Sequence, residues 1–209
     1  MTEQDFKDKI DQAYKEANEV KEPSSEYQIQ RGRSHTISSY AEDLFALYIA
    51  EMLENSELNF WVDLAFRVKL DSWKKAKAFN PDLGIIHKGE LTHYFDIKMN
   101  LGFQRNLTQY LVNKNQFVEK IRGQNGYYLN NKKEECQIQF SPEIVYQLVI
   151  LFGWNVSRKQ MAQNLKLAGE LPFVEAYVLF QVPQGMKHPE VSVEEFARLH
   201  QKSKDLFPA

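Results

Sequence analysis

The chain has 209 residues, a net charge of −2, and 43% hydrophobic with 13% aromatic residues, which fits one folded globular domain and excludes a mainly disordered chain. Its single cysteine, Cys136, excludes an intramolecular disulfide framework, a four-cysteine zinc site and an all-cysteine iron–sulfur cluster. No apolar run is long enough for a membrane span and the N-terminus lacks the pattern of a secretory leader, so a cytoplasmic protein is expected.

Helical spacing of Phe6, Ile10, Ala13, Tyr14 and Ala17 predicts a first helix from about Asp5 to Val20. A polar loop from Lys21 to His35, with Arg31-Gly32-Arg33, leads to a second helix. Ser38 or Ser39 caps it, it ends near Glu54, and its apolar middle, Leu44 to Ala50, predicts burial on nearly every side. Strict alternation from Val62 to Leu70 predicts one half-buried strand. The basic connector Lys74 to Lys77 then leads through Asn80-Pro81-Asp82 into a hairpin, Leu83 to His87 and Leu91 to Met99, turning at Lys88-Gly89-Glu90.

A helix over about Asn106 to Arg122 follows, with Leu107, Tyr110, Leu111, Val118 and Ile121 on its apolar side and Gly123 at the C-terminal cap. Gly126 to Gln137 reads as a polar loop and Ile144 to Phe152 as a buried strand. A helix starting at Ser157 stops at Gly169, Phe173 to Val182 is the last strand, and Ser192 with Glu195 forms a capping box for the final helix. The order ααβββαβαβα predicts an α/β fold whose mixed central sheet is flanked by helices.

Charge is uneven along this order. Residues 1–60 hold 6 basic against 13 acidic side chains, residues 61–122 hold 11 against 6, and the remainder 9 against 9. Such a basic middle third marks either a solvated face or a surface for a polyanion.

Phosphate-binding loops, dinucleotide fingerprints, paired-histidine zinc motifs and nucleophile elbows are absent. His87 and His93 flank the hairpin turn and read as ordinary hairpin residues. The hairpin also carries Asp82 at the start of one strand and Asp96-Ile97-Lys98 at the end of the other. Asp96 and Lys98, two residues apart on a strand, share a face, and the fold-back brings Asp82 alongside Asp96. Two carboxylates held together repel unless a cation lies between them. An open oxygen site suits Mg²⁺, and Lys98 beside it is placed to position or help deprotonate a water nucleophile.

Pro81-Asp82 followed by Asp96-x-Lys98 resembles the PD-(D/E)XK nuclease superfamily, and the order of elements from about residue 36 to 152 is similar to that family's αβββαβ core. The resemblance implies a restriction endonuclease-like fold over a single domain, 1–209, with an N-terminal helix and a C-terminal helix-strand-helix addition. It implies a nuclease, most simply a DNA endonuclease of restriction or defence type, with DNA favoured over RNA as partner and a homodimer as the natural assembly. Asp82, Asp96 and the backbone carbonyl of Ile97 would ligate Mg²⁺, for which Mn²⁺ can substitute. Glu42, matching the family's acidic residue on the first core helix, would serve a second ion or orient a water, and Lys98 would assist the nucleophile. Ser39-x-x-Glu42 also reads as a capping box, which would make Glu42 only a helix-start residue.

Around the hairpin, Arg31, Arg33, Lys74, Lys75, Lys77, Arg105 and Gln116 are the candidates for nucleic-acid contact, with phosphate neutralisation as their main contribution. The competing expectation is a catalytically inactive module of the same fold that binds nucleic acid or a partner protein.

Overall fold

The computed structural model describes residues 1–17, 36–70, 73–102, 104–130, 132–183, 185–186 and 188–207. The chain order is α1 (Glu3–Ala17), α2 (Ser38–Leu53), β1 (Leu58–Val62), β2 (Phe66–Val68), β3 (Lys77–Phe79), β4 (Leu83–His87), β5 (Glu90–Lys98), α3 (Thr108–Ile121), β6 (Asn125–Leu129), β7 (Glu135–Phe140), β8 (Tyr146–Phe152), α4 (Arg158–Glu170), β9 (Val174–Gln181), β10 (Glu190–Val191) and α5 (Val193–Asp205). Among the described residues the fold is mixed α/β, with five helices flanking one mixed sheet. Among the described residues no helix is long and apolar enough to cross a membrane.

β5 is the hub of the sheet. β1, β4 and β5 form an antiparallel meander, while β8 lies parallel to β5 and β9 parallel to β8. Only the first residues of β5, Glu90 and Leu91, pair with β7, which leads outward through β6 and β2 to β3 as a four-stranded arm. β8 (YQLVILF) is buried at every position, as a parallel strand covered on both faces must be.

Alternation along the central strands sorts their side chains into two cores. Phe95, Ile97, Val149, Leu151, Tyr177 and Leu179 pack with α1, α2 and α5 through Phe6, Ile10, Phe45, Ile49, Phe196 and Leu199. Tyr94, Tyr146, Leu148, Ile150, Ala176 and Val178 pack on the other face with α3 and α4. Both parallel steps, β5 to β8 and β8 to β9, move the same way across the sheet, so their helices α3 and α4 fall on the same face.

The arm curls over the α3 face beside the meander, where Phe66, Val68, Phe79 and Phe140 join the core. The approach is close enough to require glycine. A Cβ at Gly126 would stand 2.4 Å from the Arg67 carbonyl and 2.6 Å from the Phe140 ring.

Several elements differ from the sequence expectation. The stretch from Val62 to Leu70 is two strands, not one. Asp63 takes a left-handed conformation (φ 51°) and the chain leaves β4 to pair with β3 and β6 instead. Aspartate tolerates that region better than most residues, so alternation alone conceals the break. The supposed loop from Gly126 to Gln137 is largely the β6–β7 hairpin, whose outer face is polar because it meets solvent. Neither Ser38 nor Ser39 caps α2; the cap position is Ile37, without a side-chain bond. Ser192 does occupy the cap of α5 but makes no capping bond, and Glu195 accepts instead from the Val178 backbone N–H on β9. Ser157 does cap α4, accepting from Gln160 N–H.

Candidate active site at the open end of the β4–β5 hairpin

The hairpin register decides which side chains meet. Near the turn Ile86 pairs with Leu91, but from Ile85 onward the pairing is Ile85 with His93, Gly84 with Tyr94 and Leu83 with Phe95. Thr92 is the extra residue of a β-bulge, and its hydroxyl lies 3.1 Å from the Ile85 carbonyl oxygen and 2.7 Å from His93 Nδ1, two acceptors for its one proton when His93 Nε2–H donates to the Ser203 carbonyl. Continued by one residue, this register sets Asp82 opposite Asp96, and directly opposed residues share a face. Without the bulge Asp82 would oppose Phe95 and turn to the α2 side of the sheet.

β4 begins at Leu83, so the last turns of β5 have no strand beside them on that edge. Asp82 fills the gap: its Oδ2 accepts from the Ile97 N–H at 2.5 Å. In an extended strand the C=O of a residue points to the same edge as its N–H, so the Ile97 carbonyl also faces the Asp82 side. Lys98 Nζ stands 3.2 Å from Asp96 Oδ1 and 3.5 Å from Asp82 Oδ2, bridging the two carboxylates. The structure therefore brings together Asp82, Asp96, Ile97 and Lys98, at the carboxyl end of a strand that pairs in parallel with its neighbour β8.

The far side of Asp96 meets α3. Its Oδ2 accepts hydrogen bonds from Tyr110 and from Tyr146, the latter at 2.7 Å, and lies 3.2 Å from Lys114 Nζ. Lys114 also donates to the Tyr94 hydroxyl at 2.7 Å, and its ammonium sits 4.6–5.4 Å from the ring centres of Tyr94, Tyr110 and Tyr146.

These contacts split the two carboxyls. Burial opposes ionisation of Asp96, yet Lys114, Lys98 and the two tyrosine hydroxyls outweigh it and hold its carboxyl well below the usual carboxylate range. Burial and then the neighbouring Asp96 charge push Asp82 up to about 6, against the opposite pull of Ile97 N–H and Lys98. Asp96 carries the negative charge and Asp82 takes the proton first. Burial works against the charge on Lys98, but the two carboxylates raise its pKa above the ordinary lysine value, so it is a protonated donor in the metal-free protein. For Lys114 burial wins, and its pKa is lowered despite Asp96.

Glu42 lies half-buried on α2, and with the cap at Ile37 it belongs to no capping box. Its pKa is raised, by burial first and then by Asp82 and Asp63. Asp63, whose N–H donates to the Asp82 carbonyl, is a further acidic neighbour that alternation hid inside a supposed strand.

The candidate substrate contacts are scattered. Lys74, Lys75 and Lys77 are exposed at and before β3, with Lys77 Nζ 4.4 Å from the Trp73 ring centre and Trp73 stacked on Phe117 of α3. Arg105 is exposed in the segment before α3, and Gln116 is exposed on α3, where Lys114 rather than Gln116 turns to the site. Arg31 and Arg33 lie outside the described residues. Lys88, from the same basic third, sits at the far end of the hairpin, 3.6 Å from Glu57. The hairpin histidines do not pair: His93 is fully buried against the Ser203 carbonyl, while His87 meets Glu57.

Sequence reasoning took Tyr110 as apolar core, counted Lys114 only among the basic residues around the site, and did not single out Tyr146. A signal existed in the i, i+4 pair Tyr110 and Lys114, which sets a phenol and an ammonium on one stretch of an otherwise apolar helix face.

Among the described residues, no three His, Cys, Asp or Glu side chains stand together as a closed cation cage. What remains is an open oxygen set of two carboxylates and a peptide carbonyl. Mg²⁺ is commonly held by one or two carboxylates, retaining waters and taking substrate oxygens, so the residues fit an open Mg²⁺ or Mn²⁺ site. No known protein family matches this chain, and neither a characterised protein nor a solved structure is recognisably similar to it.

Proposed function

We propose that this chain is a Mg²⁺-dependent phosphodiesterase that hydrolyses nucleic acid, a DNA endonuclease of the restriction endonuclease-like kind. The observation that carries the reading is the convergence of Asp82, Asp96 and Lys98 at the open end of one hairpin. The element order supports it: α2, an antiparallel meander of three strands, then a helix leading to a parallel fourth strand is the αβββαβ arrangement that the motif implied. Here the meander is β1–β4–β5, with β2 and β3 inserted after its first strand and the β6–β7 hairpin inserted between α3 and β8.

In this reading Asp82, Asp96 and the Ile97 carbonyl hold the ion. When bound, Mg²⁺ supplies charge for the phosphate oxygens and lowers the pKa of a water. Lys98, protonated and bridging both carboxylates, is the residue placed to donate to the incoming water or to the phosphate oxygen that gains charge as phosphorus is attacked. Hydrolysis forms one P–O bond from water and breaks the bond to the leaving sugar oxygen, which departs with a proton. Glu42, on the next layer, orients a water from the α2 side. Lys74, Lys75 and Lys77 line an approach from β3 and neutralise phosphates on the flanking backbone. Cutting both strands of a duplex takes two such sites, which two copies of the chain supply.

Incubation of plasmid DNA with Mg²⁺ tests the reading, with Asp82→Ala and Lys98→Ala as paired variants. The expected result is nicking or cleavage by the wild type, and its loss in both variants while circular dichroism is unchanged. A folded wild type that leaves double-stranded DNA, single-stranded DNA and RNA intact with either Mg²⁺ or Mn²⁺ refutes the catalytic reading. Retained salt-dependent DNA binding would then favour the inactive binding module.

A further inference from the structure

Asp96 is held from behind more completely than a strand carboxylate requires. Its Oδ2 accepts from Tyr110 and from Tyr146 and pairs with Lys114, while its Oδ1 meets only Lys98 among these partners. A carboxylate oxygen has about two lone-pair sites, so the two phenols saturate Oδ2. The two phenol oxygens lie 2.8 Å apart with both protons directed at Asp96, and the Lys114 ammonium is fixed by the Tyr94 hydroxyl and three aromatic faces. Rotating the Asp96 carboxyl would break these bonds inside a largely buried environment, where unmade hydrogen bonds are expensive.

The partners come from both elements that flank Asp96 on this face. Tyr146 stands on β8 in register with Tyr94, and Tyr110 and Lys114 stand one turn apart on α3. The crossover that makes β8 parallel to β5 therefore also delivers the groups that orient Asp96.

We propose that Tyr110, Tyr146 and Lys114 are positioning residues. They lock Asp96 with Oδ2 turned toward α3, so that Oδ1 alone faces Asp82, Lys98 and the open end of the hairpin. Asp96 thereby offers one oxygen in a fixed direction to a divalent cation. This rests on the cation-dependent reading above, and it adds that the donor geometry is set by the tyrosine pair rather than by the hairpin alone.

The test is calorimetric titration of the full chain with Mn²⁺, with no substrate present, comparing wild type, Tyr110→Phe and Tyr146→Phe. Each variant removes one hydroxyl and leaves the ring. Loss of such supporting hydrogen bonds typically weakens metal binding about 10–100-fold, and about 10-fold is expected for each single variant here. Thermal midpoints in chelator separate this from a structural role, which would lower the midpoint and leave the Mn²⁺ affinity of the folded protein unchanged. Tyr146 is fully buried, and if its variant does not fold the half-buried Tyr110 gives the reading. Wild-type Mn²⁺ affinity in folded variants overturns the clamp and leaves the proposed function standing. A folded wild type that binds no Mn²⁺ overturns both.

Discussion

Replacing Asp82 by asparagine is expected to make the metal-free protein more stable. The carboxyl of Asp82 is pushed from an ordinary 3.8 up to about 6, chiefly by burial and by the adjacent Asp96 charge. Keeping it ionised at pH 7 costs about 3 kcal/mol at roughly 1.36 kcal/mol per pH unit, and about 1–2 kcal/mol after allowing for solvent screening at this partly open rim. The sign follows from proton uptake. Below pH 3.8 folded and unfolded chains are both protonated at this group, and the cost is nil. Between 3.8 and about 6 the folded state keeps a proton that the unfolded state has lost, so stability falls as pH rises. Above about 6 the full cost applies. An amide avoids it, since its oxygen still accepts from the Ile97 N–H and its NH₂ can donate toward Asp96. Urea denaturation in chelator at pH 7 should show a gain of about 1–2 kcal/mol for Asp82→Asn, or about 3–6 °C in thermal midpoint for a chain of this size. The gain should shrink toward zero by about pH 4. A variant less stable than wild type at pH 7, or a gap that does not depend on pH, would refute the reasoning. The same variant should lose Mg²⁺-dependent cleavage, because the repulsion it removes is what a cation relieves.

His93 should make the protein acid-sensitive. Burial pushes its pKa from 6.5 down to about 4, against the bond to the Ser203 carbonyl, so the unfolded chain takes the proton first and about 3 kcal/mol is lost as pH falls from 6.5 to 4. Urea midpoints in the Asp82→Asn background, where the opposing effect of Asp82 is absent, should show this decline; a flat profile counts against it. Thr92→Val removes the hydroxyl that faces the Ile85 carbonyl and His93 Nδ1 at the bulge and should cost about 1–3 kcal/mol in chemical denaturation, with Thr92→Ser retaining most of the stability. Equal losses in both variants would show that the hydroxyl does not hold the bulge. Combined Lys74→Ala, Lys75→Ala and Lys77→Ala should weaken DNA binding similarly across sequences. The slope of log affinity against log salt should fall by about 2–3 in magnitude if all three neutralise phosphates, and an unchanged slope would place those contacts elsewhere.

What could be read from the sequence follows the strength of its local signals. α3, α4, β8 and β9 have uninterrupted periodicity, with Ser157 and Gly123 marking ends, and they lie within a residue or two of their expected bounds. Asp82, Asp96 and Lys98 were legible because each sits near a strand end and a hairpin must bring its ends together. The arm was not. β2 and β3 have three residues each, and β6 carries Asn125, Gly126 and Tyr127, a composition that reads as loop until β7 and β2 pair on either side. The contacts of Tyr110, Lys114 and Tyr146 with Asp96 were hidden for another reason. A tyrosine in an apolar stripe signals burial of its ring, whereas the position of its hydroxyl depends on how β8 and α3 pack against β5.

Local irregularity turns an ordinary sheet edge into a site here. A regular β4–β5 hairpin would set Asp82 and Asp96 on opposite faces, because side chains alternate and the register near the turn pairs Ile86 with Leu91. The single extra residue at Thr92 corrects that parity. It does so far enough from Asp82 that the strand is regular again where the carboxylates stand. At the other side Asp63, held in the left-handed region, ends β1 just as its N–H reaches the Asp82 carbonyl and sends the chain out to the arm. Without that exit an extended β1 would continue alongside Pro81 and Asp82 on the outer side of β4. Bulge and turn thus act on the same hairpin from opposite ends, one choosing the face of Asp82 and the other leading the chain away beside it. Neither is a chemical group of the site, which is why motif spacing alone cannot separate this chain from one carrying the same three residues in a straight hairpin.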